Sequence, residues 1–342
     1  MKNLNLLFIL KNFAILFLLS FINCDNEKVE IENTSETQND IYVCGRENNY
    51  PTFWKNSISN YLENNGKTGD IISIKTNDNN VFCLGFLSEN TGIISNYVWK
   101  NNDILIKLDP FFQAIDFAID DNDIYVIGLV YNPQFGSYQG KLWKNGVLSN
   151  LTSTGKESFS SITIKNHDVY IAGYIYIGNN SYAAYWKNGT PTILTNGTTE
   201  SGINSIEIFE NNVYVMGFEK NSNDVSVAKY WKNGIPTLLT NGNYDATAGT
   251  IRFIENDVYV NGIEIDSNGN EVLKYWKNGE EKTLTNRNYY YPKISSMEII
   301  NNNVYTIGYS DENATLAAVF NYNGISLLTK FNSSFNDMCI NH

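Results

Sequence analysis

The chain has 342 residues, 42% of them hydrophobic and 14% aromatic, and a formal net charge of −12. That apolar content excludes a disordered chain. The acidic balance argues against a nucleic-acid partner and against direct adsorption on anionic lipid, since both need a basic face.

Residues 1–23 read MKNLNLLFILKNFAILFLLSFIN. Lys2 and Lys11 form a basic beginning, and Phe13 to Ile22 is an apolar run broken only by Ser20. This run fits the core of an export signal and is short for a membrane-spanning helix. Phe21-Ile22-Asn23-Cys24 resembles the lipobox of bacterial lipoproteins, which implies cleavage before Cys24 and its acylation. An ordinary cleaved signal and an uncleaved anchor are the alternatives. Cys44, Cys83 and Cys339 show no CxxC or Cys/His metal spacing and read as small apolar residues inside strands. Residues 24–38 are acidic and polar and read as a flexible tether, roughly 20 Å long as a coil.

From residue 39 the chain repeats itself. A strand motif ending in Gly appears as NDIYVCG (39–45), NNVFCLG (79–85), NDIYVIG (122–128), HDVYIAG (167–173), NNVYVMG (211–217), NDVYVNG (256–262) and NNVYTIG (302–308). Each copy is followed by a strand that ends at a Trp and an Asn-Gly-type turn, as in YWKNG at 185–189, 230–234 and 275–279. The Trp residues stand at 54, 99, 143, 186, 231 and 276, and a seventh, Trp-less copy reads FNYNG at 320–324. An apolar-alternating strand precedes six of the Gly motifs, and a short strand follows each turn. The unit is therefore four strands, a to d in chain order, repeated every 43–46 residues. That period predicts an all-β chain in which residues 39–342 form a seven-bladed β-propeller of four-stranded blades. The first unit lacks strand a, and SSFNDMCI (333–340) matches the strand-a pattern. The C-terminal strand is expected to complete the first blade and close the ring, which removes exposed edges.

At the level of architecture, residues 39–342 resemble the β-propeller superfamily. They lack the GH and WD dipeptides of WD40 repeats and the double Gly of kelch repeats. The chain looks most like the lipid-anchored YWKNG-type repeat proteins of bacteria, which have no established activity. The resemblance implies a fold and an envelope address, and no reaction.

Residues needed once per repeat read as packing residues. The Trp column and the Tyr column (Tyr42, Phe82, Tyr125, Tyr170, Tyr214, Tyr259, Tyr305) are expected between blades, and the Gly column at a close backbone approach. A small polar column on strand a reads Ser73, Asp116, Ser161, Ser205, Thr250, Ser296 and Asp337. It is expected to line a central channel, with Asp116 and Asp337 as ligand or cation contacts. Local hydrogen bonding is the competing reading.

The b–c and d–a connections vary in length and composition and share one face, where a rigid scaffold places binding groups. Their irregular segments supply Phe111, Phe112, Tyr131, Phe135, Tyr138, Tyr244, Arg287, Tyr289, Tyr290 and Tyr291 as candidate ligand-binding residues, with Arg46 as a further donor. Catalytic signals are weak. The two His residues, His167 and His342, offer no triad, and HExxH, GxSxG and phosphate-loop motifs are absent. No cofactor or metal is expected. DSNGNE (266–271) is explained by turn chemistry.

The expected function is a lipid-anchored binding or scaffold module at the cell envelope, a monomeric domain taking a protein or carbohydrate ligand on its variable loop face. The alternatives are a glycan-active hydrolase or lyase using Asp109, Asp116 or Asp245, and a subunit of a larger envelope assembly.

Overall fold

The computed structural model describes residues 40–89, 92–134, 136–151, 157–178, 180–283, 290–300, 303–312, 315–322, 325–331 and 333–341, of which 290–295 and 308–331 are described by backbone alone. The signal segment, Cys24 and the tether lie outside the described residues. Residues 39–342 form one compact unit.

Among the described residues the chain is strand and turn throughout. Each sheet is antiparallel, with short turns joining consecutive strands, and all but blade A are simple meanders. Blade A joins Asp40–Glu47, Tyr50–Lys55 and Ile58–Tyr61 to the C-terminal strand Ser333–Asn341, which pairs with Asp40–Glu47 as strand a. Blades B to F follow at 68–107, 112–149, 157–193, 201–238 and 246–283.

The expectation of a seven-bladed propeller is corrected. Six four-stranded blades, A to F, carry the full repeat with its Trp, and a separate Trp-less sheet at 290–331 accompanies them. In that sheet Phe320 stands where the blades have Trp, opposite Ile307. Beyond the inner-strand bulge that all the sheets share, its register slips at Tyr290/Lys293 and at Phe320/Asn321. The physical reason is the missing indole, because an aromatic of 150–250 Å² is what wedges each blade against its neighbour.

That wedge is visible in the core, which is divided among the gaps between sheets. Phe82, Leu84 and Val98 of blade B pack with Phe117 and Trp143 of blade C. Tyr170 and Ala172 of blade D meet Ile206 and Trp231 of blade E, and Tyr214 and Met216 of blade E meet Ile251 and Trp276 of blade F. The Trp-less sheet packs Met297 and Ile299 on Tyr259 and Leu273, and Ile307 beside Trp54. All six Trp residues are buried.

The rest of the YWKNG motif is explained by the turn. The Lys stacks its ammonium over the ring of the Tyr column in all six blades, as Lys144 does over Tyr125 at 4.5 Å and Lys277 over Tyr259 at 5.0 Å. The Asn stands at positive φ, 50° at Asn233, with Gly234 at 86° completing a hairpin turn. Its side chain then staples that turn to the start of strand b. Asn233 Oδ1 accepts from Val213 N at 2.8 Å, and Asn56, Asn101, Asn145, Asn188 and Asn278 do the same in their blades.

Candidate functional site

The two places expected to carry function are the loop face and the central channel. On the loop face, blade C stands out. The Asp109 carboxylate accepts from Phe111 N at 2.9 Å, and the Asp109 carbonyl accepts from Phe112 N at 3.1 Å. This turn sends successive side chains in opposite directions. Phe111 is 78% exposed, whereas Phe112 is fully buried. Phe112 is therefore corrected from a ligand-binding candidate to a core residue packed with Leu108, Val98 and Trp143. Tyr131 and Tyr138 are cross-strand partners, each about half exposed, with rings 5.4 Å apart edge to face. The pairing of Phe112 with Val130 places Phe111 at the register position beside Tyr131. Phe111 is thus exposed in the turn that leads into strand a, next to the strands b and c that carry the Tyr131–Tyr138 pair. The Gln113 amide, 3.4 Å from the Tyr138 hydroxyl, borders it.

Tyr244, the other described candidate, is exposed in the loop before blade F. Phe135, Arg287 and Tyr289 lie outside the described residues. Tyr290 and Tyr291 belong to a strand whose side chains there are not described. Arg46 Nε lies 3.7 Å from Asp70 Oδ2 and so links blade A to blade B. Two exposed residues of this face were not anticipated, Tyr176 and Ile177 of blade D. Tyr176 follows Gly173 by three residues, as Tyr131 follows Gly128, so aligning the repeats on Gly was enough to find it.

The channel begins with a shared irregularity. Each inner strand carries a β-bulge at one place, with Ile72, Ile115, Ser160, Asn204, Ser295 and Asn336 as extra residues and both Gly249 and Thr250 unpaired in blade F. A bulge re-aims side chains, and here consecutive residues face one cavity of about 500 Å³. Ser73, Asp116, Ser161, Ser205, Thr250, Ser296 and Asp337 all line it.

Asp116 and Asp337 are filled by the fold's own donors. Asp337 Oδ1 accepts from Met338 N at 2.8 Å, and Oδ2 accepts from Ser73 Oγ at 2.8 Å and Ile74 N at 3.1 Å on blade B. Asp116 repeats the device, accepting from Phe117 N at 2.9 Å and from Ile162 N and Ser161 Oγ on blade D at 3.1 and 3.2 Å. Both carboxylates fasten one blade to the next, which leaves little capacity for a cation. Their titration differs in direction, although Lys75 and backbone hydrogen bonds pull both downward. Burial pushes both upward, but Lys75 Nζ, 3.4 Å from Asp337, with the hydrogen bonds there, pulls Asp337 below the ordinary carboxylate range. Asp116 stays above it.

Two residues farther along the inner strands stands a second set of groups that the column did not include. Arg252 donates to Glu298 through two bonds of 2.9 and 2.7 Å. Cys339 lies near them, its thiol pushed up to about 12 chiefly by burial. Glu207 faces the same cavity, and burial holds its carboxyl above the usual range. These charges recur two positions after the small polar column, which was a readable signal in the chain. Elsewhere, His167 Nδ1 lies 2.9 Å from Asp120 at an exposed a–b turn, with Asp121 alongside.

No family model matches the chain, and no curated protein does. Among solved structures it is similar to the computationally designed Ika8 protein, at 15% identity over 88% of this chain and 90% of that one, with a TM-score of 0.47. It is similar to an acylaminoacyl peptidase of Pyrococcus horikoshii at 13% identity and a TM-score of 0.50, covering 80% of this chain and 48% of that one. TolB from Acinetobacter baumannii aligns at 9% identity over 78% of this chain and 81% of that one, with a TM-score of 0.48. Likenesses at such identities concern the fold alone. The sheet topology and the divided core establish that fold directly: the chain is a β-propeller.

Proposed function

We propose that the protein is an exported binding module, tethered to the cell envelope through Cys24, that takes a carbohydrate ligand on the loop face of blade C. The observation that carries this reading is the exposed Tyr131–Tyr138 pair, with Phe111 exposed in the adjoining turn while its neighbour Phe112 is fully buried. Rigid aromatic rings offer flat apolar area at low entropic cost, and tyrosyl hydroxyls and the Gln113 amide supply hydrogen bonds at the edge. The apolar face of a sugar ring presents CH groups to such a platform and its hydroxyls to the rim. The envelope address rests on the basic start, apolar run and Cys24 of the first 24 residues.

The glycan-active alternative gains no support from its carboxylates. Asp116 is filled by inter-blade donors, the Asp109 carboxylate accepts from Phe111 N, and Asp245 Oδ1 accepts from Ser226 N at 2.7 Å.

A glycan array tests the reading. The wild type is expected to retain particular oligosaccharides without cleaving them. Tyr131→Ala or Tyr138→Ala should each weaken retention by roughly tenfold, the loss of one aromatic anchor. An array that binds nothing, while a purified envelope protein does bind and is lost on Tyr131→Ala, would move the assignment to a protein ligand. Binding indifferent to both substitutions would remove the loop face of blade C from the account. Membrane fractionation tests the tether, since Cys24→Ala should release the chain from the membrane fraction.

A further inference from the structure

The walls of the central cavity carry two cations, Lys75 and Arg252, and four carboxylates, Asp116, Glu207, Glu298 and Asp337. Most are accounted for by the fold. Arg252 and Glu298 form a bidentate pair, Lys75 lies against Asp337, and Asp116 accepts from blade D. Glu207 is the exception. Among the described residues its carboxylate accepts one hydrogen bond, from Ile208 N at 3.2 Å, and its other oxygen has no hydrogen-bond donor, although the charges of Arg252 and Lys75 act on it across the cavity. On the adjoining blade F, Thr250 Oγ1 is buried without a hydrogen-bond partner among the described residues, and it lines the same cavity. Buried polar atoms are ordinarily satisfied, so the Thr250 hydroxyl calls for a partner, and the open oxygen of the half-buried Glu207 on the neighbouring blade faces the same cavity.

We propose that this cavity binds a small organic cation, whose primary ammonium group is received by Glu207 and the Thr250 hydroxyl. Three considerations select that class. With four carboxylates against two cations, an anion is disfavoured. A calcium ion needs six to eight oxygens, and the other carboxylates are already occupied. A primary ammonium carries three donors and needs only two or three acceptors within reach. The volume, about 500 Å³, lies within the range of small-molecule sites, roughly 300–1,000 Å³. An adjoining cavity of about 280 Å³, lined by Glu207, Arg252, Phe209 and Phe253, extends the space beside the ammonium site. Phe209 and Phe253 are stacked at 4.2 Å there and present apolar surface to the remainder of such a ligand. This site is independent of the loop face.

The test is calorimetric titration of the full chain near neutral pH with methylammonium and putrescine, using sodium and calcium chloride at matched ionic strength as controls. Saturable one-to-one binding of an amine is expected, with Kd on the order of millimolar or tighter. Glu207→Gln should weaken it about tenfold or more, as the loss of a charge-assisted hydrogen bond would. Thr250→Val should weaken it by a smaller factor, and Tyr131→Ala should leave it unchanged. No saturable heat with either amine would overturn the proposal. Equal affinity in Glu207→Gln, or displacement of the amine by equimolar calcium, would do so as well.

Discussion

At the scale of single residues, two buried carboxylates make opposite contributions to stability. Asp337 has its folded pKa lowered by Lys75 and its hydrogen bonds against the cost of burial. The folded state therefore releases its proton more readily than the unfolded chain does. Its contribution is present above the ordinary Asp value of about 3.9 and is lost as pH falls through the lower folded value. Asp337→Asn should cost about 2–4 kcal/mol at pH 7, since it leaves Lys75 without its partner and weakens the link to blade B. The penalty should shrink below pH 4 in urea unfolding. Glu207 has its folded pKa raised by burial. Its favourable contribution is present below the ordinary Glu value of about 4.3 and is lost as pH rises through the raised folded value. Glu207→Gln should therefore raise the unfolding midpoint at pH 7 and lose that advantage near pH 4. A Glu207→Gln variant less stable than wild type at pH 7 would contradict this assignment. A chain that keeps such a group retains it at a cost, which agrees with a ligand role.

At the scale of the element, the inner strand and its partner are organised around a bulge and a glycine. A Cβ on Gly217 would collide with the carbonyl oxygen of Gly202, and one on Gly173 with that of Ser158. Gly217→Ala should destabilise by more than about 2 kcal/mol, measured by denaturant unfolding with an unchanged m-value. Asn233→Ala should cost about 1–2 kcal/mol, because it removes the bond from Val213 N and leaves Ala at positive φ. The strands, the Gly column and the Trp burial were all legible in the chain, since each recurs at a fixed beat. The bulge was not. At Ile115 it shifts the alternation of the inner strand by one residue, so Phe112 shares the buried side with Phe117 although five positions separate them. Nothing in the order of residues marks that shift, and Phe111 and Phe112 therefore looked equivalent. The number of blades was not legible either. Repeat spacing and the Trp-less FNYNG copy record that a seventh unit exists, whereas the structure sets the sheet at 290–331 apart from the six blades.

At the scale of the whole molecule, the C-terminal strand pairs with the first described strand and so joins the two ends of the propeller unit. Ser333–Asn341 pairs with Asp40–Glu47, places Phe335 against Trp54 at 4.8 Å, and sends Asp337 and Asn336 to blade B. Removing residues 333–342 should leave blade A without strand a and expose an edge, giving a chain cleaved rapidly by trypsin with a markedly lower midpoint. That closing strand was readable from its match to the strand-a pattern, because closure of an array demands it. The ligand was not readable, because binding groups sit where the repeat is broken and single departures carry no internal check. The central claim is that the recurring columns hold the fold and the departures on blade C serve recognition. Its most direct test is one titration of a retained glycan into a Tyr131→Ala/Tyr138→Ala double variant. The account predicts a loss of about a hundredfold in affinity, two anchors together, with an unfolding midpoint matching wild type. Unchanged affinity, or a collapse of the midpoint, would contradict it.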